Sequence, residues 1–192
     1  HVVVMPDANK EQTLNALVGA AFGAAGQRCM ALSVAVMVGD SKQWIQELVE
    51  KAKTLKVNAG HEPNTDIGPV ISKRAKARVI DLINSGVEQG AELLLDGRNV
   101  QVQGYESGNF VGATIFSGVN TDMRIYKEEI FGPVLSIICV DTLDEAIALI
   151  NANPFGNGVG LFTQSGAIAR TFQNLIDIGQ VGINIPIPVP VP

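Results

Sequence analysis

Short apolar stretches with almost no polar face, each separated from the next by a stretch of helical period, constrain this chain more than any other feature. Val2-Val3-Val4 and residues 32–38, 134–140, 158–162 and 181–185 are dominated by Val, Ile and Leu. A strand with one face in water alternates apolar and polar residues, whereas strands this uniform must be covered on both faces. Between them, residues 10–25 place Leu14, Leu17, Val18, Ala21 and Phe22 on one helical face. Gly39-Asp40-Ser41 introduces a helix to about Thr54, and Ser72 opens one running to about residue 89. Thr142 and Glu145 form a capping box for a helix over 143–152, and a last helix spans 167–176. Residues 92–95 read as a short strand, 58–69 as a loop of turn formers, and 96–113 as an excursion or hairpin. Strand–helix alternation with doubly buried strands predicts an α/β fold, a mostly parallel sheet with helices on both faces. No internal domain boundary or fixed-period repeat interrupts the pattern.

Composition narrows the function classes. Fourteen Lys and Arg against nineteen Asp and Glu leave a net charge of −5, without a basic block. Counterion release on a nucleic acid needs clustered positive charge, so no such partner is expected. No apolar run reaches the ~20 residues that cross a bilayer, so no membrane partner is expected either. Two cysteines, Cys29 and Cys139, cannot build a disulfide framework, which favours a reducing compartment. Only His1 and His61 are available as imidazole ligands, and no CxxC or HExxH occurs, so no metal is expected. Gly156-Asn157-Gly158-Val159-Gly160 has the wrong spacing for a dinucleotide loop and reads as a turn feeding a strand. The start at His1 without a targeting peptide, and the ribbon Pro186-Ile187-Pro188-Val189-Pro190-Val191-Pro192, suggest a piece of a longer chain. The expected organisation is therefore one domain over 1–185 and a proline-rich exit ribbon over 186–192.

Two motifs can carry chemistry. Gly26-Gln27-Arg28-Cys29-Met30 sits at a helix-to-strand junction, where Gly19, Gly23 and Gly26 thin the helix and help to end it. A neighbouring cation favours a thiolate, the attacking form, and backbone N–H groups at a sharp junction can hold an oxyanion. Burial as inert packing remains the competing reading for Cys29 and is the expected one for Cys139, inside an apolar strand. Glu128-Glu129-Ile130-Phe131-Gly132-Pro133 is a rigid turn that can offer a carboxylate and a ring to a ligand. A strand-entry turn with solvated acids would look the same. A Cys–His acyltransferase would need His61, which lies in the turn-rich loop.

Taken together, Gly-Gln-Arg-Cys at 26–29 and Glu-Glu-Ile-Phe-Gly-Pro at 128–133 resemble the aldehyde dehydrogenase superfamily. Asp66-Ile67-Gly68-Pro69 and Gly182-x-Asn184 follow that resemblance in order, and it covers essentially the whole chain. Residues 23–31 and 184–190 are similar to its CoA-acylating branch. The resemblance implies a catalytic domain in which Cys29 attacks an aldehyde and the adduct passes hydride to NAD, giving a Cys29 thioester. Coenzyme A then takes the acyl group with loss of carbon dioxide, the substrate being methylmalonate or malonate semialdehyde. By the same resemblance Glu129 bonds the nicotinamide-side ribose and Phe131 lies near the nicotinamide. Arg28, a cation beside the nucleophile with a fork that fits a carboxylate, is the expected partner of the substrate carboxylate; pairing with a nearby acid or lowering the thiol pKa is the alternative. It also implies a homo-oligomer, a tetramer, in the bacterial cytoplasm or the mitochondrial matrix. A hydrolytic relative that releases the free acid, and a folded module inactive by itself, are the alternatives.

Overall fold

Asn9 accepts a hydrogen bond from Gln12 N–H, which opens helix α1 (Lys10–Phe22) immediately after strand β1 (Val2–Val4). The computed structural model describes residues 1–186, so only Pro186 of the expected ribbon falls within them. Strand β2 (Val34–Val38) leads through a 3-10 turn, Gly39–Trp44, into helix α2 (Ile45–Lys53). Ser72 caps helix α3 (Lys73–Glu88), followed by strands β3 (Glu92–Leu95) and β4 (Thr114–Ser117) and the single turn α4 (Arg124–Lys127). Strand β5 (Val134–Val140), helix α5 (Leu143–Asn151) with the expected capping box, strand β6 (Val159–Phe162), helix α6 (Gly166–Leu175) and strand β7 (Val181–Ile183) complete the series.

The seven strands form one sheet in the order β3-β4-β5-β2-β1-β6-β7. Every neighbouring pair is parallel except β3–β4, which is antiparallel and carries a register shift between Leu93 and Leu95. The α/β expectation therefore holds. All five residues of β2 and the first five of β5 are buried, and because successive side chains point to opposite faces, both faces are covered. Strand β4 and helix α4 were not anticipated. A single helical turn is too short to establish a period, and the four residues of β4 follow the excursion over 96–113 without a turn signal to set them apart.

Three local expectations are corrected. Residues 32 and 33 precede β2 rather than belonging to it. A Cβ at Gly19 would meet nothing within 4 Å, so that glycine does not permit a close approach. Cys139 is exposed near the carboxyl end of β5, not packed inside it. Partial desolvation still pushes its thiol pKa up, with Lys42 opposing.

Candidate active site

The α1 helix does not run directly into β2. Ala24, Ala25 and Gly26 all take left-handed backbone angles, φ +53°, +53° and +67°. For alanine this conformation costs roughly 1–2 kcal/mol per residue, so tertiary contacts must hold the turn. A Cβ on Gly26 would overlap the Gly132 carbonyl, and one on Gly132 would collide with Val79 of α3. Glycine at both positions lets the two motif loops meet backbone to backbone and the second rest on the Val79 side chain of α3.

Beyond this turn, Arg28 C=O accepts from Ala31 N–H at 3.0 Å. Cys29 and Met30 are the central residues of that β-turn, so their own N–H groups lie outside its hydrogen bond. Cys29 is exposed and borders a cleft of about 390 Å³ shared with Met30, Tyr126, Glu129 and Phe155. A narrow recess beside it is lined by Gly26, Arg28, Glu129, Phe131 and Gly132. The structure thus brings all four expected site residues, Cys29, Arg28, Glu129 and Phe131, to one place.

The two adjacent acids are sorted by their partners. Glu128 pairs with Arg124 Nε at 2.7 Å and lies 3.7 Å from Arg78 Nη2; the Arg124 hydrogen bond holds its carboxyl below the usual range. Arg78 Nη1 also donates to Ile130 C=O at 3.0 Å, tying the turn to α3. Among the described residues, nothing hydrogen-bonds the carboxylate of Glu129, which borders both the cleft and the recess. Phe131 follows in a left-handed conformation, φ +57°, and the residue is 43 % exposed. A free carboxylate beside an accessible ring suits a ribose and a flat heterocycle. Among the described residues, no phosphate-binding glycine loop lines either space.

Arg28 neither pairs with an acid nor points freely into the cleft. Its Nη2 donates to the C=O groups of Gly19 (2.8 Å) and Ala20 (3.1 Å) near the C-terminus of α1, over the space left by Gly23. Among the described residues its Nε and Nη1 groups have no acceptor. His61 borders neither space that Cys29 lines; its Nε2 bonds Tyr105 Oη at 2.9 Å. That removes the geometric basis for a Cys–His pair. Asn184, φ +58°, accepts Thr163 N–H at 3.0 Å and fastens the ends of β6 and β7.

Gln27 was passed over in the sequence although it lies inside the cysteine motif. Nothing in one sequence says what a Gln side chain reaches across a fold. Arg78 had no signal beyond its place on an exposed helix.

The family model described as the aldehyde dehydrogenase family matches residues 1–191. The chain belongs to the aldehyde dehydrogenase family. Within this family, it is 64% identical over 186 residues to the bovine mitochondrial methylmalonate-semialdehyde/malonate-semialdehyde dehydrogenase [acylating]. That match takes in 97% of this chain but 35% of the bovine protein, so the chain spans about a third of that relative's length. The crystal structure of methylmalonate-semialdehyde dehydrogenase from Oceanimonas doudoroffii superposes with TM-score 0.96 at 47% identity, covering all of this chain and 40% of that one. A Sinorhizobium meliloti structure assigned to the same enzyme and complexed with NAD gives TM-score 0.97 at 48% identity, covering 100% and 39%.

Proposed function

We propose that residues 1–185 are the catalytic domain of an NAD-dependent, CoA-acylating methylmalonate-semialdehyde dehydrogenase. The observation that carries this reading is the meeting of Cys29 and Glu129, a hundred positions apart, on one cleft. Its support from relatives is the 64% identity to the acylating bovine enzyme. Catalysis then runs as follows. The Cys29 thiolate attacks the aldehyde carbon and forms an S–C bond, and the carbonyl oxygen becomes an alkoxide. The N–H groups of Cys29 and Met30, outside the turn hydrogen bond, are the local donors for that oxyanion. Bound NAD supplies a hydride acceptor. Loss of hydride from the same carbon re-forms C=O as a Cys29 thioester, dividing one hard step into two easier ones. Glu129 would hold the nicotinamide-side ribose of the cofactor through its hydroxyls, and Phe131 would lie near the nicotinamide.

The acyl group carries a carboxylate one carbon from the thioester. Its loss as carbon dioxide leaves an enolate that takes up a proton, and the coenzyme A thiol then displaces Cys29. The products are propionyl-CoA or acetyl-CoA, NADH and the free thiol. Arg28 is the proposed partner of the substrate carboxylate, presenting Nε and Nη1 while Nη2 stays on α1. A homotetrameric assembly belongs to the same proposal, with the mitochondrial matrix as the compartment in a eukaryote, the bovine relative being named mitochondrial, and the cytoplasm in a bacterium. The deciding experiment follows the product of a chain of the relatives' full length carrying this sequence, with and without coenzyme A. Acyl-CoA formed only when coenzyme A is present supports the proposal; free acid at an undiminished rate without it indicates the hydrolytic reaction instead.

A further inference from the structure

We propose that Gln27 is a positioning residue for the nucleophile, a strap that holds the strained turn before Cys29 against the loop containing Asp66-Ile67-Gly68-Pro69. The inference rests on the reading of Cys29 as nucleophile. Gln27 Oε1 accepts Ile71 N–H at 2.8 Å, while Nε2 lies 3.4 Å from the C=O groups of both Pro69 and Ala24. One side-chain amide therefore joins three backbone groups. One of them belongs to Ala24, the first left-handed residue of the turn, and the others lie more than forty positions away in sequence.

The anchor at the far end is firm. Ile67 pairs with Val57 in a parallel bridge, and its C=O accepts Asn58 N–H at 3.0 Å. The Asp66 carboxylate accepts Lys56 N–H at 2.8 Å, and Val70 N–H donates to Asn109 C=O at 2.9 Å. The near end is under strain, because Ala24 and Ala25 sit in a region that alanine avoids. A strained turn relaxes unless surrounding contacts determine it. Gly26 packing on Gly132 constrains the turn from one side, and Gln27 constrains it from the other. Cys29 is two residues beyond the strap, so a shift of the turn moves the sulfur relative to Glu129 and the substrate carbon. A misplacement of about 1 Å is enough to slow such a reaction by roughly a hundredfold.

The strap is tested in the full-length enzyme from both of its ends. Gln27→Met keeps the side chain's length and removes its polar groups; Ile71→Pro removes the N–H that Oε1 accepts. Pre-steady-state hydride transfer is read as the rate constant of the NADH burst, with Cys29→Ala as control. Each variant should slow the burst at least tenfold, with KM for NAD changing less than twofold. The double variant should be no slower than the worse single one, since both remove one interaction. Gln27→Glu retains the acceptor but loses the donor, so its burst should be slow at neutral pH, and its deficit relative to the unsubstituted enzyme at the same pH should shrink as acidification protonates the new carboxyl. A normal burst in Gln27→Met, strictly multiplicative effects in the double variant, or a loss expressed only in KM for NAD would overturn the strap. A burst that persists in Cys29→Ala would instead overturn the nucleophile assignment on which it rests. If Gln27→Met fails to fold, Ile71→Pro and Gln27→Glu give the same readings.

Discussion

At the scale of single residues, the fold separates pairs that sequence alone leaves equivalent. Cys29 and Cys139 are both exposed, so exposure does not distinguish them. Cys139, however, has its thiol pushed up by partial desolvation, which leaves less thiolate at neutral pH. Brief substoichiometric iodoacetamide at pH 7 should label Cys29 several-fold over Cys139 by peptide mapping. The ratio should narrow as rising pH ionises the Cys139 thiol, whose pKa is raised. Preferential labelling of Cys139 at neutral pH would remove the basis for Cys29 as the reactive thiol. Arg28 invites a second prediction. If its Nε and Nη1 groups grip the substrate carboxylate, Arg28→Leu in the intact enzyme should cost about 2–5 kcal/mol in kcat/KM with methylmalonate semialdehyde. The loss with propionaldehyde, which has no carboxylate, should be much smaller. Equal losses on both would assign Arg28 solely to the end of α1, where Nη2 already binds two carbonyls.

At the scale of elements, the site depends on the stacking of Gly26, Gly132 and Val79. Gly26→Ala introduces a Cβ at φ +67° directly into the Gly132 carbonyl. Left-handed strain and overpacking together should cost about 2–5 kcal/mol, read as a lower midpoint in urea with little change in m value. Unchanged stability would mean that the two loops are free to separate. Much of this level was legible beforehand. The apolar runs located β1, β2, β5, β6 and β7, and the Thr142–Glu145 box placed α5 at its observed start. The left-handed turn at Ala24 and Ala25 was not legible, because alanine is a strong helix former and only tertiary contact turns it the other way. Glu128 and Glu129 could not be told apart either, since what separates them is Arg124 one helical turn earlier and Arg78 fifty positions away.

At the scale of the whole molecule, the site lies where the strands begin. Cys29 precedes β2 and Glu129 precedes β5, so both sit at the amino ends of parallel strands. The usual location of ligands in open α/β sheets, beyond the carboxyl ends, would have directed attention to the Cys139 side. If Glu129 and Phe131 hold one end of the cofactor as proposed and the rest of its site lies elsewhere, the 192-residue chain alone should show no saturable NAD binding by calorimetry, whereas the full-length enzyme should bind. Saturable binding by the short chain would show that the remainder of the cofactor site lies within it. The adjacency of β2 and β5 has a further consequence for biosynthesis. Val34 lies opposite Ser136, so the cleft is closed by a pairing that spans a hundred residues of chain. A growing polypeptide therefore carries Cys29 without its facing loop until β5 has left the ribosome. Only then does the second loop arrive beside it, so the chemistry of the sulfur becomes available only once this part of the chain is folded.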